Sequence, residues 1–393
     1  MLALKILFWV SLTVLFYSYL GYGILLWVIL QTRRFIRPNK NSTLINDFEP
    51  EVSLVVAAYN EEDIIEQKIH DCLALDYPKS KLNIIFIADG SSDRTTQIIS
   101  RYPQVKLMFA PERQGKVAAI NRAMQHVTTP IVVFCDANTF LNKRSIGELV
   151  KHYTNDQIGA VAGEKKVVSN DKTGDAASSG EGLYWRYESI LKTLDSDFYS
   201  VVGAAGELFS IRTNLYEPVP HNVLLDDFII SMKICKAGYR VVYEPKAYAS
   251  ESPSFSMKEE QKRKIRISAG GFQSILMLRE LLNIFKYGKL SFQFISHRVL
   301  RWLVCPVLLP VIFVSNILVF YYTSETLYLA FLVAQVTFYI AALAGYLFAT
   351  KNIKVKSLYV PYYFVFMNFA LYLGFKKFLS KQQSVLWDKA ARK

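Results

Sequence analysis

Along the 393 residues, hydrophobic and polar positions fall into zones of different period. Ile6 to Leu30 is an uncharged apolar run long enough for a membrane-spanning helix, which needs roughly 20 residues. Trp302 to Tyr322 and Leu327 to Thr350 are two more such runs, and Leu358 to Phe375 is a shorter one holding Pro361 and several tyrosines. Between Glu51 and about Pro253, short continuous apolar stretches alternate with helical spacing, the pattern of a mainly parallel sheet covered by helices. Four predicted strands end in polar clusters: "VSLVVAAY" in "NEED", "LNIIFIAD" in "GSSDRT", "VKLMFA" in "PERQGK" and "PIVVFC" in "DANT". In open sheets, ligands bind at the carboxyl ends of strands, so these clusters predict one shared site. The acids of "NEED" suit the first turn of a helix, and Ser92 or Asp93 suits a helix cap.

Charge adds topology. Arg33, Arg34, Arg37 and Lys40 follow the first run and, by the positive-inside rule, put the segment after Leu30 in the cytoplasm. The first run lacks a small-residue cleavage pattern and is predicted to be a permanent anchor. The second and third runs then leave and re-enter, with "KNIKVK" inside. A spanning fourth run would leave Lys376, Lys377, Lys381, Lys389, Arg392 and Lys393 outside, so an interfacial or re-entrant segment is expected instead. These limits predict an anchor and basic flank over 1–40, a cytoplasmic domain over 41–255, basic interfacial segments over 256–298 and a membrane region over 299–393, with spans near 302–322 and 327–350 and the interfacial piece at 358–375.

Composition agrees: 52% hydrophobic and 14% aromatic residues with only 20% charge exceed what a soluble domain needs. The net charge of +13 gathers beside the apolar runs, where anionic lipid attracts it; no nucleic-acid partner is expected. Cys72, Cys135, Cys235 and Cys305 show no CxxC spacing and predict neither zinc nor a disulfide frame. No GxGxxG follows the first strand and no GxxxxGK[ST] occurs, which argues against a dinucleotide enzyme or a P-loop motor.

Several side chains carry both a structural and a chemical explanation. Asp89 and Asp136, at predicted strand ends, serve equally as turn formers or as ligands of a ribose or a hard cation. Asp226 and Asp227 open a predicted helix as cap and first-turn acid, which accounts well for one of them. The polar stretch Ser169 to Gly182 is a lid or a surface excursion, and "LYWRYESILKTL" fits core packing better than a substrate platform. Lys262, Arg263, Lys264 and Arg266 suit phosphates or lipid headgroups.

Taken in order, "LVVAAYNEE", "IADGSSDRT", "GKVAAIN", "VVFCDANT", "GELFSIR", "LLDDFIISMKICKAGYRVVYEPKA" and "KRKIRISAGG" resemble the membrane-bound family 2 glycosyltransferases, in their polysaccharide-synthase branch. The resemblance implies an α/β nucleotide-sugar-binding fold, a mainly parallel mixed sheet flanked by helices, with transmembrane helices at both ends. It implies an inverting enzyme taking a nucleoside-diphosphate sugar, a UDP-sugar, with Mg2+ or Mn2+. The acceptor would be a glycan or a lipid-linked molecule at the cytoplasmic face of a bacterial inner membrane, beside export or synthase subunits. Tyr59, Asn60, Glu61 and Asp89 would hold the nucleotide, Ala88 standing where the family often has another aspartate. Lys116 would lie near the diphosphate, and Asp136 would bind metal and diphosphate.

Asn138 replaces the second acid of the metal element, so metal should bind mainly when the nucleotide sugar is present. Asp227 would be the general base, with Asp226 beside it where glutamate is usual. The interfacial QxxRW element is altered. Aligned on Gly270, Arg263 and Arg266 fall at its Gln and Arg and Ile267 at its Trp; aligned on Gln261, Lys264 and Ile265 take the last two places. Without that tryptophan, transfer to a simple lipid or polyprenyl phosphate is an alternative, as is a catalytically silent nucleotide-binding subunit.

Overall fold

Strand β1 (Val52–Ala58) is buried along its whole length, which is why it reads as an unbroken apolar run: both of its faces are covered. Val52, Leu54 and Val56 belong to one core layer, Val55 and Ala57 to the other. The computed structural model describes residues 1–36, 48–167, 176–252, 257–351 and 355–381, and side chains from 184 onward in the helix that begins at 176. Arg37, Lys40, residues 169–175 of the polar stretch, Lys389, Arg392 and Lys393 lie outside the described residues.

Helix α1 (Leu2–Ile36) precedes β1. The domain then runs α2 (Ile65–Leu73), β2 (Leu82–Asp89), α3 (Thr95–Ile99), β3 (Lys106–Ala110), α4 (Lys116–Met124), β4 (Ile131–Asp136), β5 (Phe140–Leu141), α5 (Ser145–Val150), β6 (Ile158–Val167), α6 (Ala176–Phe198), β7 (Leu208–Arg212), α7 (Asp226–Lys236) and β8 (Arg240–Glu251). Helix α8 (Met257–Met277) leads to three long apolar helices, α9 (Lys289–Thr323), α10 (Thr326–Thr350) and α11 (Lys356–Leu379).

The strands form one mixed sheet in the order β3-β2-β1-β4-β7-β6-β8-β5. β3, β2, β1 and β4 are parallel, β7 is antiparallel to β4 and β6, and β6 and β8 are parallel again. The chain runs outward from β1 through β2 to β3 and then returns past β1 to β4, so the strand order reverses between β1 and β4, the position at which such sheets bind ligands.

The acids of "NEED" precede α2 instead of opening it. Glu61 N donates to Thr95 Oγ1 at 2.8 Å and Glu62 N to Asp93 Oδ2 at 3.1 Å, while Asn60 Oδ1 accepts from Ser92 N at 2.9 Å. Hydrogen bonds thus join the loops after β1 and β2. Asp93 also accepts from Thr95 N at 3.0 Å, at the start of α3.

Among the described residues, α1, α9, α10 and α11 are each long and apolar enough to cross a membrane. The helix pair α1 and α9 meets around Phe8, Ile312 and Val319, while the other half of α1 packs through Tyr22 and Leu26 on Leu191 of α6. Buried polar groups fasten this junction. Asp195 accepts from Tyr22 Oη and pairs with His297 Nδ1 at 2.6 Å, and Glu188 pairs with Arg301 at 2.8 Å and Arg298 at 3.3 Å. His297, Arg298 and Arg301 sit on a π-helical stretch of α9, Ile295–Val304.

The segment expected to be interfacial or re-entrant is one unbroken helix, α11. It lies lengthwise on α8. Met257 packs against its first turns, Gly374 approaches Ser268, and Phe272 meets Phe375 with ring centroids 5.1 Å apart.

Gly203 has φ +90, and a Cβ there would stand 2.1 Å from Phe228 Cδ2. Gly203→Ala therefore meets both a left-handed backbone and a ring that cannot retreat from the core. We expect a loss of more than about 2 kcal/mol, read as a lower melting temperature in detergent; an unchanged melting curve would contradict the packing described.

Candidate active site

A cavity of about 1300 Å³ opens where β1 and β4 end. Its sheet-side wall carries Glu61, Lys116, Asp136, Asn138, Asp226 and Asp227, so most of the acids and the lysine singled out from sequence do converge. β4 delivers Asp136 at its last residue, the adjacent turn delivers Asn138, and Lys116 begins α4.

Lys116 Nζ is 2.5 Å from Asp136 Oδ1. Burial disfavours the ammonium, but Asp136, Asp226 and Asp227 outweigh burial and raise its pKa above the ordinary lysine value. Asp136 is itself pushed up by burial, partly opposed by Lys116. Gly206 packs between the groups: a Cβ on it would stand 3.1 Å from Lys116 Nζ and 3.3 Å from Asp227 Oδ2.

Neither aspartate of the pair caps α7. The cap position is Leu225, Asp226 is the first helical residue, and Asp227 Oδ1 accepts the adjacent Phe228 N–H at 2.8 Å. Asp226 is buried with Oδ2 lacking a hydrogen-bond partner among the described residues. Burial, then repulsion from Asp226, pushes Asp227 up to about 7. Next to them Glu207 is held well below the carboxylate range, because Lys165 at 2.6 Å and Arg263 outweigh its burial.

Asp89 is placed differently from the sequence expectation. It is fully buried, is not among the cavity-lining residues, and accepts from Gln114 N at 3.0 Å, Gly115 N at 2.6 Å and Arg122 Nη2 at 3.0 Å. Its capacity goes into holding the loop that presents Lys116. Tyr59 lies outside the cavity lining too, with the Arg113 guanidinium 3.8 Å from its ring centroid.

Toward the membrane the walls come from α6, α8, α9 and α11. Arg263 is 3.9 Å from Glu251 and 3.8 Å from Glu260; Arg266 lines the cavity with Nε unpartnered among the described residues. The aromatic face of "LYWRYESILKTL" is cavity wall, through Tyr184, Trp185 and Tyr187. Trp302 of α9 also lines it, packed on Phe228 with centroids 5.5 Å apart and against Gly271. Ile267 therefore does not leave the cavity without indoles; they enter from helices distant in sequence. Arg263, Arg266, Tyr184, Trp185 and Tyr187 lie in stretches singled out from the sequence, whereas no local signal marks Trp302.

The donor set fits a hard divalent cation only in part. Asp136 offers a carboxylate and Asn138 an amide, and the described residues contain no group of three His, Cys, Asp or Glu placed to hold a metal. This suits Mg2+ or Mn2+ taking its remaining ligands from substrate phosphates.

Residues 53–219 match the sequence model of glycosyl transferase family 2. The chain is 24% identical over 259 residues to the poly-beta-1,6-N-acetyl-D-glucosamine synthase of Staphylococcus aureus (strain MSSA476), covering 63% of this chain and 60% of that protein. It is 26% identical over 257 residues to the probable glycosyltransferase YdaM of Bacillus subtilis (strain 168), covering 60% and 58%. The chain thus spans about 60% of the length of these curated relatives. Among solved structures, the mannosyltransferase PcManGT from Pyrobaculum calidifontis, in complex with GDP-Man and Mn2+, superposes with a TM-score of 0.70 at 22% identity, over 97% of this chain and 100% of that one. At 97% coverage the superposition takes in this chain's long apolar helices as well as the sheet.

Because folding raises the pKa of Asp227 above its unfolded value, the carboxyl favours the native state when protonated, and stability falls as pH rises from about 4 through about 7. Asp227→Asn removes that cost. Its melting temperature should exceed wild type at pH 8 and approach it at pH 5; a difference independent of pH would contradict the raised pKa.

Proposed function

We propose that the protein is an inverting glycosyltransferase that moves a sugar from a nucleoside-diphosphate sugar, a UDP-sugar, onto a polysaccharide or lipid-linked acceptor at the cytoplasmic face of a membrane, for cell-surface or extracellular polysaccharide. The observation that carries this is Asp227, a half-buried carboxylate with its pKa raised to about 7, in a cavity shared with Lys116 and Asp136. A base poised near the working pH is what deprotonation of an acceptor hydroxyl requires. The polysaccharide synthases among its relatives and the membrane helices around the cavity support the acceptor class. A silent nucleotide-binding subunit has no use for such a carboxylate.

In this proposal the acceptor oxygen attacks the anomeric carbon from the face opposite the diphosphate, and Asp227 takes its proton. The bond from anomeric carbon to phosphate oxygen breaks, and its electron pair leaves with the nucleoside diphosphate, whose charge Lys116 meets. Asp136 and Asn138 would hold the divalent ion, which when bound supplies positive charge to the phosphate oxygens. Glu61 and the joined loops after β1 and β2 would hold the nucleoside end. The oxyanion therefore forms next to an ammonium that already carries its proton.

Purified protein in detergent, supplied with Mn2+ and a panel of UDP- and GDP-sugars, tests this directly. Asp227→Asn should lower transfer roughly 10² to 10⁴-fold while leaving donor affinity within a few-fold, and Asp136→Ala should weaken donor binding itself. Turnover surviving in Asp227→Asn removes that residue as the base. In wild type, kcat/KM should climb with pH to a plateau above about pH 7; a profile flat from pH 5 to 8 contradicts the assignment.

A further inference from the structure

Lys68 is a fully buried lysine that the chemistry above does not use, and it lies outside the cavity lining. It stands on the buried face of α2 with Ile65, Ile69 and Cys72. An ammonium placed there is costly unless its hydrogens are matched by acceptors. The lysine has three such hydrogens, and three acceptors surround it. Nζ donates to Thr139 O at 2.5 Å, to Cys135 Sγ at 3.0 Å and to Asp71 Oδ2 at 3.3 Å. Burial opposes the charge, but the Cys135 and Cys72 sulfurs and Asp71 outweigh it and hold the lysine above its ordinary pKa, as an ammonium.

The places of these partners in the chain are what matter. Cys135 immediately precedes Asp136, and Thr139 immediately follows Asn138. One ammonium therefore grips both ends of the turn Asp136-Ala137-Asn138 from behind, while all three residues of the turn line the cavity in front. The two ends are also tied to each other, since Thr139 Oγ1 donates to Asp136 O at 3.0 Å and lies 3.4 Å from Cys135 Sγ. Asp71, the third partner, accepts from Leu141 N at 3.0 Å. The same helix thus holds the chain as it leaves the turn through β5.

An ion held by one carboxylate and one amide depends more on the spacing of those oxygens than an ion held by two charges. We propose that Lys68 is a positioning residue for the donor-side metal, fixing the separation at which Asp136 and Asn138 present their oxygens. This rests on the proposed role of those two side chains as metal ligands. The charge of Lys68 by itself acts the other way, because a cation behind a cation site repels the ion. A purely structural role would lower the melting temperature and leave metal affinity alone. The sign of the change in affinity when Lys68 is removed therefore separates the three.

The test titrates Mn2+ into the full chain in detergent with saturating UDP or GDP, whichever tightens Mn2+ binding to wild type, and follows it by electron paramagnetic resonance below the melting temperature of each variant. Lys68→Met, which keeps an unbranched side chain and removes the ammonium, should weaken Mn2+ binding roughly 10 to 100-fold. A second pair of variants gives an answer even where Lys68→Met does not fold. Cys135→Ala removes one grip and should weaken binding about three- to tenfold, whereas Cys135→Ser, whose hydroxyl oxygen can accept from Lys68, should stay within about twofold of wild type. Asp136→Ala, which removes a ligand outright, sets the floor. Unchanged or tighter Mn2+ binding in folded Lys68→Met, or equal weakening by alanine and serine at Cys135, overturns the positioning role; with Asp136→Ala still losing the ion, the metal reading stands. Mn2+ binding that neither nucleotide tightens in wild type overturns the metal reading and the role of Lys68 with it.

Discussion

The Lys116 ammonium is the charge on which the site is built. Asp136, Asp226 and Asp227 all act on it, and among the described residues only Asp136 is within ion-pair distance. The desolvated setting and the neighbouring Asp226 charge disfavour ionisation of Asp227, whose pKa rises to about 7. The Asp227 carboxyl is thus pushed up beside Asp226, while Asp136 is paired with the lysine. Asp89 underlies the arrangement, since it fixes the loop from which Lys116 projects.

The walls of the same cavity tie it to the membrane helices. α6 contributes Trp185, Glu188 and Lys192 to the lining. Its Asp195 and Glu188 are bound to Tyr22 of α1 and to His297, Arg298 and Arg301 of α9. Breaking one partner of so buried a set strands a charge, at a cost of about 3–5 kcal/mol. The helix that walls the cavity is thereby held in register with the membrane-side helices. The cavity is lined by the sheet-end carboxylates and by residues of α6, α8, α9 and α11 together.

Much of this was legible in the chain. β1 and β4 read as strands because both faces are buried, and their polar ends marked the site edge before any coordinates. Asp136, Asp227 and Lys116 followed from that edge together with the family resemblance. What was hidden depended on contacts between distant segments. Asp89 looked like a ligand because its three donors lie on a loop and helix 25 to 33 residues further on. The acids of "NEED" looked like a helix start because their partners belong to the next strand's loop. Trp302 showed no local pattern that marks a site, being brought in by the packing of α9, and Lys192 lies in "LYWRYESILKTL", whose spacing pointed to core packing and not to a cavity wall. The mixed character of the sheet, with β7 inserted antiparallel between β4 and β6, likewise has no signature in a single strand.

The central claim is that Asp136 and Asn138 form half of a metal site and that the donor diphosphate supplies the other half. Titration of Mn2+ into the purified protein, followed by electron paramagnetic resonance with and without a saturating nucleoside diphosphate, measures this most directly. Weak Mn2+ binding alone, strengthened at least tenfold by the nucleotide beyond the nucleotide's own affinity for the ion, is the result predicted. Equal Mn2+ affinity in the presence and absence of nucleotide would contradict it.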